Sequence, residues 1–201
     1  MAERIRVYLE VGGKRTFASA ADWPGWCRSG KDERGAFDNL AAYAPRYAKV
    51  ARLARMELPK QPAFNQVERM KGNATTDFGA PGIPAKDETR RVSAAEMTRM
   101  VTLLQACWKY LDKVRARAPE ELRKGPRGGG RDREKMYQHV LDAEVAYAPA
   151  IGLKLKQSDR RALLDAIRNP RGDTKWPVAY AVRRIAWRAL DHAWEMEDRI
   201  P

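Results

Sequence analysis

The chain has 201 residues, 44% hydrophobic and 32% charged, with 14 glycines and 12 prolines, a make-up that excludes a collagen-like or wholly disordered protein. The 39 Lys and Arg outnumber the 26 Asp and Glu, for a formal charge of +13, and two cysteines alone, Cys27 and Cys107, exclude a disulfide scaffold. No stretch approaches the roughly 18 uncharged apolar residues of a membrane span, and the start lacks the apolar core and cleavage site of a signal peptide, so a cytoplasmic location without a membrane partner is expected.

Residues 4–11 alternate polar and apolar side chains and are rich in β-branched and aromatic types, which predicts a strand. Gly12-Gly13 signals a hairpin turn, and residues 14–21 predict a second strand. Asp22-Trp23-Pro24-Gly25 reads as a turn, and Trp26 to Arg28 as a short third strand. A helix follows over 33–55, where Ala36, Leu40, Tyr43, Ala44 and Tyr47 recur at helical spacing, with a kink or break at Pro45. Residues 64–70 predict a fourth strand. The economical assembly for 1–73 is a small antiparallel sheet with one helix on a face. Residues 74–92 carry Gly and Pro without periodicity and read as a linker or an ordered loop.

Ser93-Ala94-Ala95-Glu96 is a capping-box pattern. Met97, Met100, Val101, Leu104, Cys107, Trp108, Leu111 and Val114 then trace a long amphipathic helix. Pro119 and the run from Gly125 to Gly130 form a loop. Residues 131–148 predict a second helix, striped by Met136, Val140, Ala143 and Tyr147. Ser158 is the expected cap of a short third helix carrying Leu163, Leu164 and Ile167. Asp173 or Thr174 is the expected cap of a fourth, whose Val178, Val182, Ile185, Ala189, His192 and Met196 form a bundle seam. Trp187, Leu190 and Trp194 make a second stripe that covers either the N-terminal half or a homodimer partner. The whole is an α+β chain, with a four-helix bundle over 93–201.

His139 and His192 are the two histidines, on the second and fourth helices. Bundle cores build metal sites from such residues, and a third ligand is available in Glu144 or Glu195. The densest basic stretch, Lys113 to Lys135, includes Arg123, Lys124, Arg127, Arg131 and Arg133. It is a candidate contact for an anionic partner or nucleic acid, against the plainer reading of a solvated arginine-rich surface.

Residues 93–201 resemble the DinB-like (YfiT-like) four-helix bundles, through KMYQHVLDAEVAY (135–147) and YAVRRIAWRALDHAWEMEDR (180–199). The resemblance implies one His on the second helix and an H-x-x-x-H pair on the last, together binding nickel, zinc or iron. In several members it implies a transferase or isomerase that uses a low-molecular-weight thiol. His139 matches the first position and His192 the last, but Arg188 stands where the remaining His is expected, and a guanidinium repels a cation. The expectation is therefore a degraded metal site: a pocket around His139, Arg188 and His192, with Glu144 beside Arg188, that binds a small or anionic ligand. The alternatives are a metal-dependent thiol transferase or isomerase with a carboxylate as third ligand, and a nucleic-acid-binding module built on the 113–135 arm. Residues 4–71 look like the HicB-like antitoxin fold through DWPGWCRSGKDERGAFDNLAAYA (22–44), carried by Pro24, Gly25, Gly30, Ala36, Asn39 and Leu40. Antitoxin activity is not implied, because a bundle stands where that family appends a DNA-binding module.

Overall fold

The computed structural model describes residues 4–125 and 130–201. β1 (Ile5–Val11) turns through Gly12-Gly13 into β2 (Thr16–Ala20), its antiparallel neighbour, and β3 (Cys27–Gly30) pairs antiparallel with β2. The helix expected over 33–55 is two, broken next to Pro45, one of the two outcomes expected there. α1 (Glu33–Ala42) is capped by Asp32, which accepts from the Gly35 amide at 2.7 Å, and α2 (Ala44–Leu53) carries Pro45 in its first turn. Proline is tolerated there because that turn's amides have no intrahelical partner.

β4 (Phe64–Lys71) lies on the far side of β1 and runs parallel to it, so the order is β3-β2-β1-β4. The sheet is thus mixed, which corrects the expectation of an antiparallel one. The cause is the crossover: strands joined by helices return in the same direction, whereas hairpins reverse.

Residues 74–92 are an ordered strap. α3 (Ala74–Phe78) and a 3-10 turn at Lys86–Thr89 lie within it. The buried Glu10 carboxylate of β1 draws it inward, accepting from the Thr76 hydroxyl and from the amides of Gly82 (2.8 Å) and Ile83 (3.1 Å). Glu88, in the 3-10 turn, is buried as well.

α4 (Ala94–Arg117) opens with the expected capping box, in which Ser93 accepts from the Glu96 amide and Glu96 from the Ser93 amide. α5 (Arg133–Tyr147), a 3-10 turn at Ala148–Ile151, α6 (Arg160–Arg168) and α7 (Val178–Asp198) follow. Two expected caps are corrected. Asp159, rather than Ser158, caps α6 by accepting from the Ala162 amide at 2.9 Å; the Ser158 hydroxyl donates instead to Glu144. α7 starts after Pro177 with no side-chain cap, and Thr174 bonds its hydroxyl to the Trp176 carbonyl in the preceding loop. Proline's fixed φ supplies the helical entry there.

α7 packs along both α4 and α5, and α2 packs on α4. One hydrophobic cluster runs from Ile5, Leu9, Trp26 and Tyr47 in the N-terminal half to Leu104, Leu111, Ile185 and Leu190 in the helical half. Trp26 stacks on Tyr47 with ring centres 5.3 Å apart and donates to the Leu40 carbonyl at 2.9 Å. The second stripe of α7 is covered by the N-terminal half of the same chain: Phe17 meets Trp187 edge-on at 6.2 Å, and Tyr43 meets Trp194 at 5.0 Å. No described helix is long and apolar enough to cross a membrane.

The two halves approach closely at Gly25. Its φ is +90°, and a Cβ there would stand 2.8 Å from Leu190 Cδ1 and 3.1 Å from Cys107 Sγ. Gly25→Ala therefore adds left-handed strain to an overpacked contact, and its urea midpoint should fall by the equivalent of at least about 2 kcal/mol. Because the core is shared, tryptophan fluorescence and far-UV circular dichroism should trace one coincident unfolding curve. Two separated transitions would show that the halves are energetically independent.

Candidate functional site on the α5–α7 seam

α7 repeats Tyr180, Arg184, Arg188 and His192 at every fourth position, so these four share one stripe of the helix. α5 sets His139 and Tyr147 against that stripe. The histidine pair expected from the sequence does come together: the two rings lie 5.1 Å apart at 74°. Arg188 joins them, with Nη1 3.1 Å from His192 Nε2, while its Nε and Nη2 each donate to the Tyr147 hydroxyl at 3.3 Å.

A guanidinium can only donate, so His192 Nε2 accepts from Arg188. Nδ1 then carries the proton and donates to Glu195 Oε2 at 3.0 Å. The lone pair that a metal ion would require is thus taken by Arg188. Among the described residues, no three His, Cys, Asp or Glu side chains converge to hold an ion. The donor set does not fit a divalent metal, and a resident guanidinium supplies the positive charge in its place. Glu195 titrates below the usual carboxylate range, because the hydrogen bond from His192 and the charge of Arg199 outweigh burial. Burial depresses His139 to about 4, helped by Arg131, His192 and Arg188, so its imidazole is neutral at physiological pH.

Glu144 is buried but turned elsewhere. It accepts from Ser158 Oγ and from Arg160 Nε at 3.4 Å, and no hydrogen bond or ion pair among the described residues links it to Arg188 or either histidine. On α5 it stands about 140° round the helix from His139, five residues away, and about 60° from Tyr147. Burial raises its carboxyl, against the pull of Arg160 and Ser158.

The basic arm is largely folded onto its own partners. Lys124 pairs with Asp132 at 2.7 Å, Arg133 with Glu134 at 2.8 Å, and Arg123 donates to the Asp198 carbonyl at 2.7 Å. Arg131 is exposed, and its carbonyl accepts from Arg199. Arg127 lies outside the described residues.

The residue that sequence reasoning missed is Arg184. Its neighbour Arg183, 3% exposed, is fully engaged: Nε is 2.6 Å from Glu88 Oε1, and Nη2 is 2.9 Å from both Glu88 Oε2 and the Ile83 carbonyl. Arg184 is 5% exposed and has no hydrogen bond or ion pair among the described residues; its Nη1 is sealed from solvent without a partner. What it has are rings, with its guanidinium carbon 4.6 Å from the centre of Trp187 and 5.0 Å from that of Tyr147. Burial pulls its pKa below the ordinary arginine value, and Arg188 and Arg183 pull the same way against Tyr147 and Tyr180. Two ring contacts contribute about 0.5–2 kcal/mol each, whereas an uncompensated buried charge costs several kcal/mol even after relaxation. The i+4 repeat of Tyr180, Arg184, Arg188 and His192 along α7 was the signal in the chain for it.

Two outcomes follow for the ligand-free protein. Arg184→Met, which keeps volume and removes the charge, should leave the unfolding midpoint unchanged or raise it; a loss above about 1 kcal/mol would mean that the charge is already compensated. For His139, the folded pKa of about 4 lies below the unfolded value of 6.5, so between them the unfolded chain binds the extra proton. Stability should be level above pH 6.5 and fall as the pH drops towards 4. That slope should be shallower in His139→Gln, and equal slopes in urea titrations would refute the assignment. No protein-family model, no curated protein and no solved structure matches this chain, so the geometry of this seam is itself the basis for assigning a function.

Proposed function

We propose that the chain binds a small anionic ligand on the α5–α7 seam, in a bundle of the DinB-like kind in which Arg188 has displaced the metal. The observation that carries this reading is Arg184, a guanidinium 5% exposed and without a counter-charge among the described residues. An oxyanion beside it would supply the missing charge through charge-assisted hydrogen bonds. Arg188 stands one turn along the same stripe. Tyr147 takes N–H bonds from Arg188 on its oxygen and so keeps its own proton to donate. His139, neutral, adds polarity without charge. Binding is the activity these groups support, since guanidiniums do not exchange protons near neutrality and His192 is held at both ring nitrogens.

The N-terminal sheet, on this reading HicB-like, buttresses the rear of α7 through Phe17 and Trp187. The basic arm, in which Lys124 and Arg133 pair with neighbouring carboxylates, is read as surface.

Thermal unfolding at constant ionic strength tests the proposal, with sodium chloride as reference and inorganic phosphate, sulfate, acetate and benzoate as probes. A ligand at 100 times its Kd adds about 2.7 kcal/mol to stability. At least one probe should raise the melting temperature of the wild type, and the rise should vanish in Arg184→Met. Should all four leave it unmoved, the proposal fails.

A further inference from the structure

We infer that the anion is an aromatic carboxylate, whose carboxylate meets Arg184 and Arg188 and whose ring lies against Trp176. The inference rests on the anion-binding reading above and narrows it to a ligand class. The Arg184 guanidinium carbon lies over the rings of Trp187 and Tyr147, at 4.6 and 5.0 Å, and a guanidinium whose face is taken by rings keeps its edge for hydrogen bonds. That edge offers parallel N–H donors, which match two oxygens in one plane.

The surroundings separate a planar head from a tetrahedral one. Phosphate sites draw on the free amides of helix N-termini. Arg184 and Arg188 stand in the interior of α7, Val178–Asp198, where amides are committed to the helix ladder. The available donors are therefore side chains alone: two guanidiniums and the Tyr147 hydroxyl.

The body of the ligand is read from what lies beyond the charge. Trp176, half-buried on the loop before α7, has its ring centre 5.1 Å from Tyr147 and 5.0 Å from Tyr180. Its amide donates to the Ala150 carbonyl at 2.9 Å, which ties the loop to the end of the α5 segment. Tyr147 links the two regions, since the same ring carries Arg184 over its face and Trp176 at its side. A ligand anchored at the guanidiniums thus extends along aromatic walls, and rings pack on rings with a preference that saturated bodies of similar size do not share.

Calorimetric titration of the full chain at constant ionic strength distinguishes the possibilities, with benzoate, cyclohexanecarboxylate, acetate and inorganic phosphate as probes. Benzoate should bind most tightly, about fivefold or more ahead of cyclohexanecarboxylate. Trp176→Leu should cut benzoate affinity by a similar factor and leave acetate unchanged, while Arg184→Met should weaken every carboxylate by about 30-fold or more. If phosphate or cyclohexanecarboxylate binds as well as benzoate, or if Trp176→Leu binds benzoate like the wild type, the aromatic-carboxylate inference is overturned and anion binding stands. If no probe binds, both fall. Trp176→Leu alters a half-buried loop residue outside the main core, so it keeps the test decisive should Arg184→Met unfold.

Discussion

Enclosure of α7 on nearly every side is the constraint from which the rest of the molecule takes its form. Of its 21 residues, 14 are buried, among them two arginines and a histidine. A charge inside a core must be met by a counter-charge or by hydrogen bonds, or it destabilises the fold. The elements around α7 can be read as answers to that demand. The strap between the sheet and the helical half delivers Glu88 to Arg183, α5 delivers Tyr147 to Arg188, and β3 delivers Arg28 to Asp191 at 3.1 Å. Arg184 is the one buried charge of this helix that no described residue answers.

The contrast between Arg183 and Arg184 separates a buried charge that is met from one that is not. The two are adjacent in the chain and almost equally buried. The first closes a fork on a carboxylate and anchors the strap to α7. The second is braced by aromatic rings, which hold its position without cancelling its charge. A side chain kept in place at an energetic disadvantage fits a binding group whose partner arrives from outside, in the manner of strained or destabilised residues at functional sites.

Arg188 places a positive charge at the centre of the seam. Its guanidinium occupies the lone pair of His192 and fixes the tautomer that donates to Glu195. The same charge helps to keep His139 deprotonated. A guanidinium stays protonated across the physiological range, so Arg188 is a permanent positive charge on the seam.

Much of this was legible in the chain because it is decided within a few residues. The Gly12-Gly13 hairpin, the break at Pro45, the Ser93 capping box and the spacing that set His139 and His192 on the facing sides of two helices all depend on near neighbours. Other features depend on contacts far apart in sequence. The parallel placement of β4 follows from the path of a crossover, the burial of Glu88 from Arg183, which lies 95 positions away, and the diversion of Glu144 from Ser158 and Arg160. Arg184 is the clearest case. Local pattern put a guanidinium on a helical stripe, but only the packed fold, by giving Arg183 a carboxylate and Arg184 none, determined which of two neighbouring arginines was left with an unmet charge.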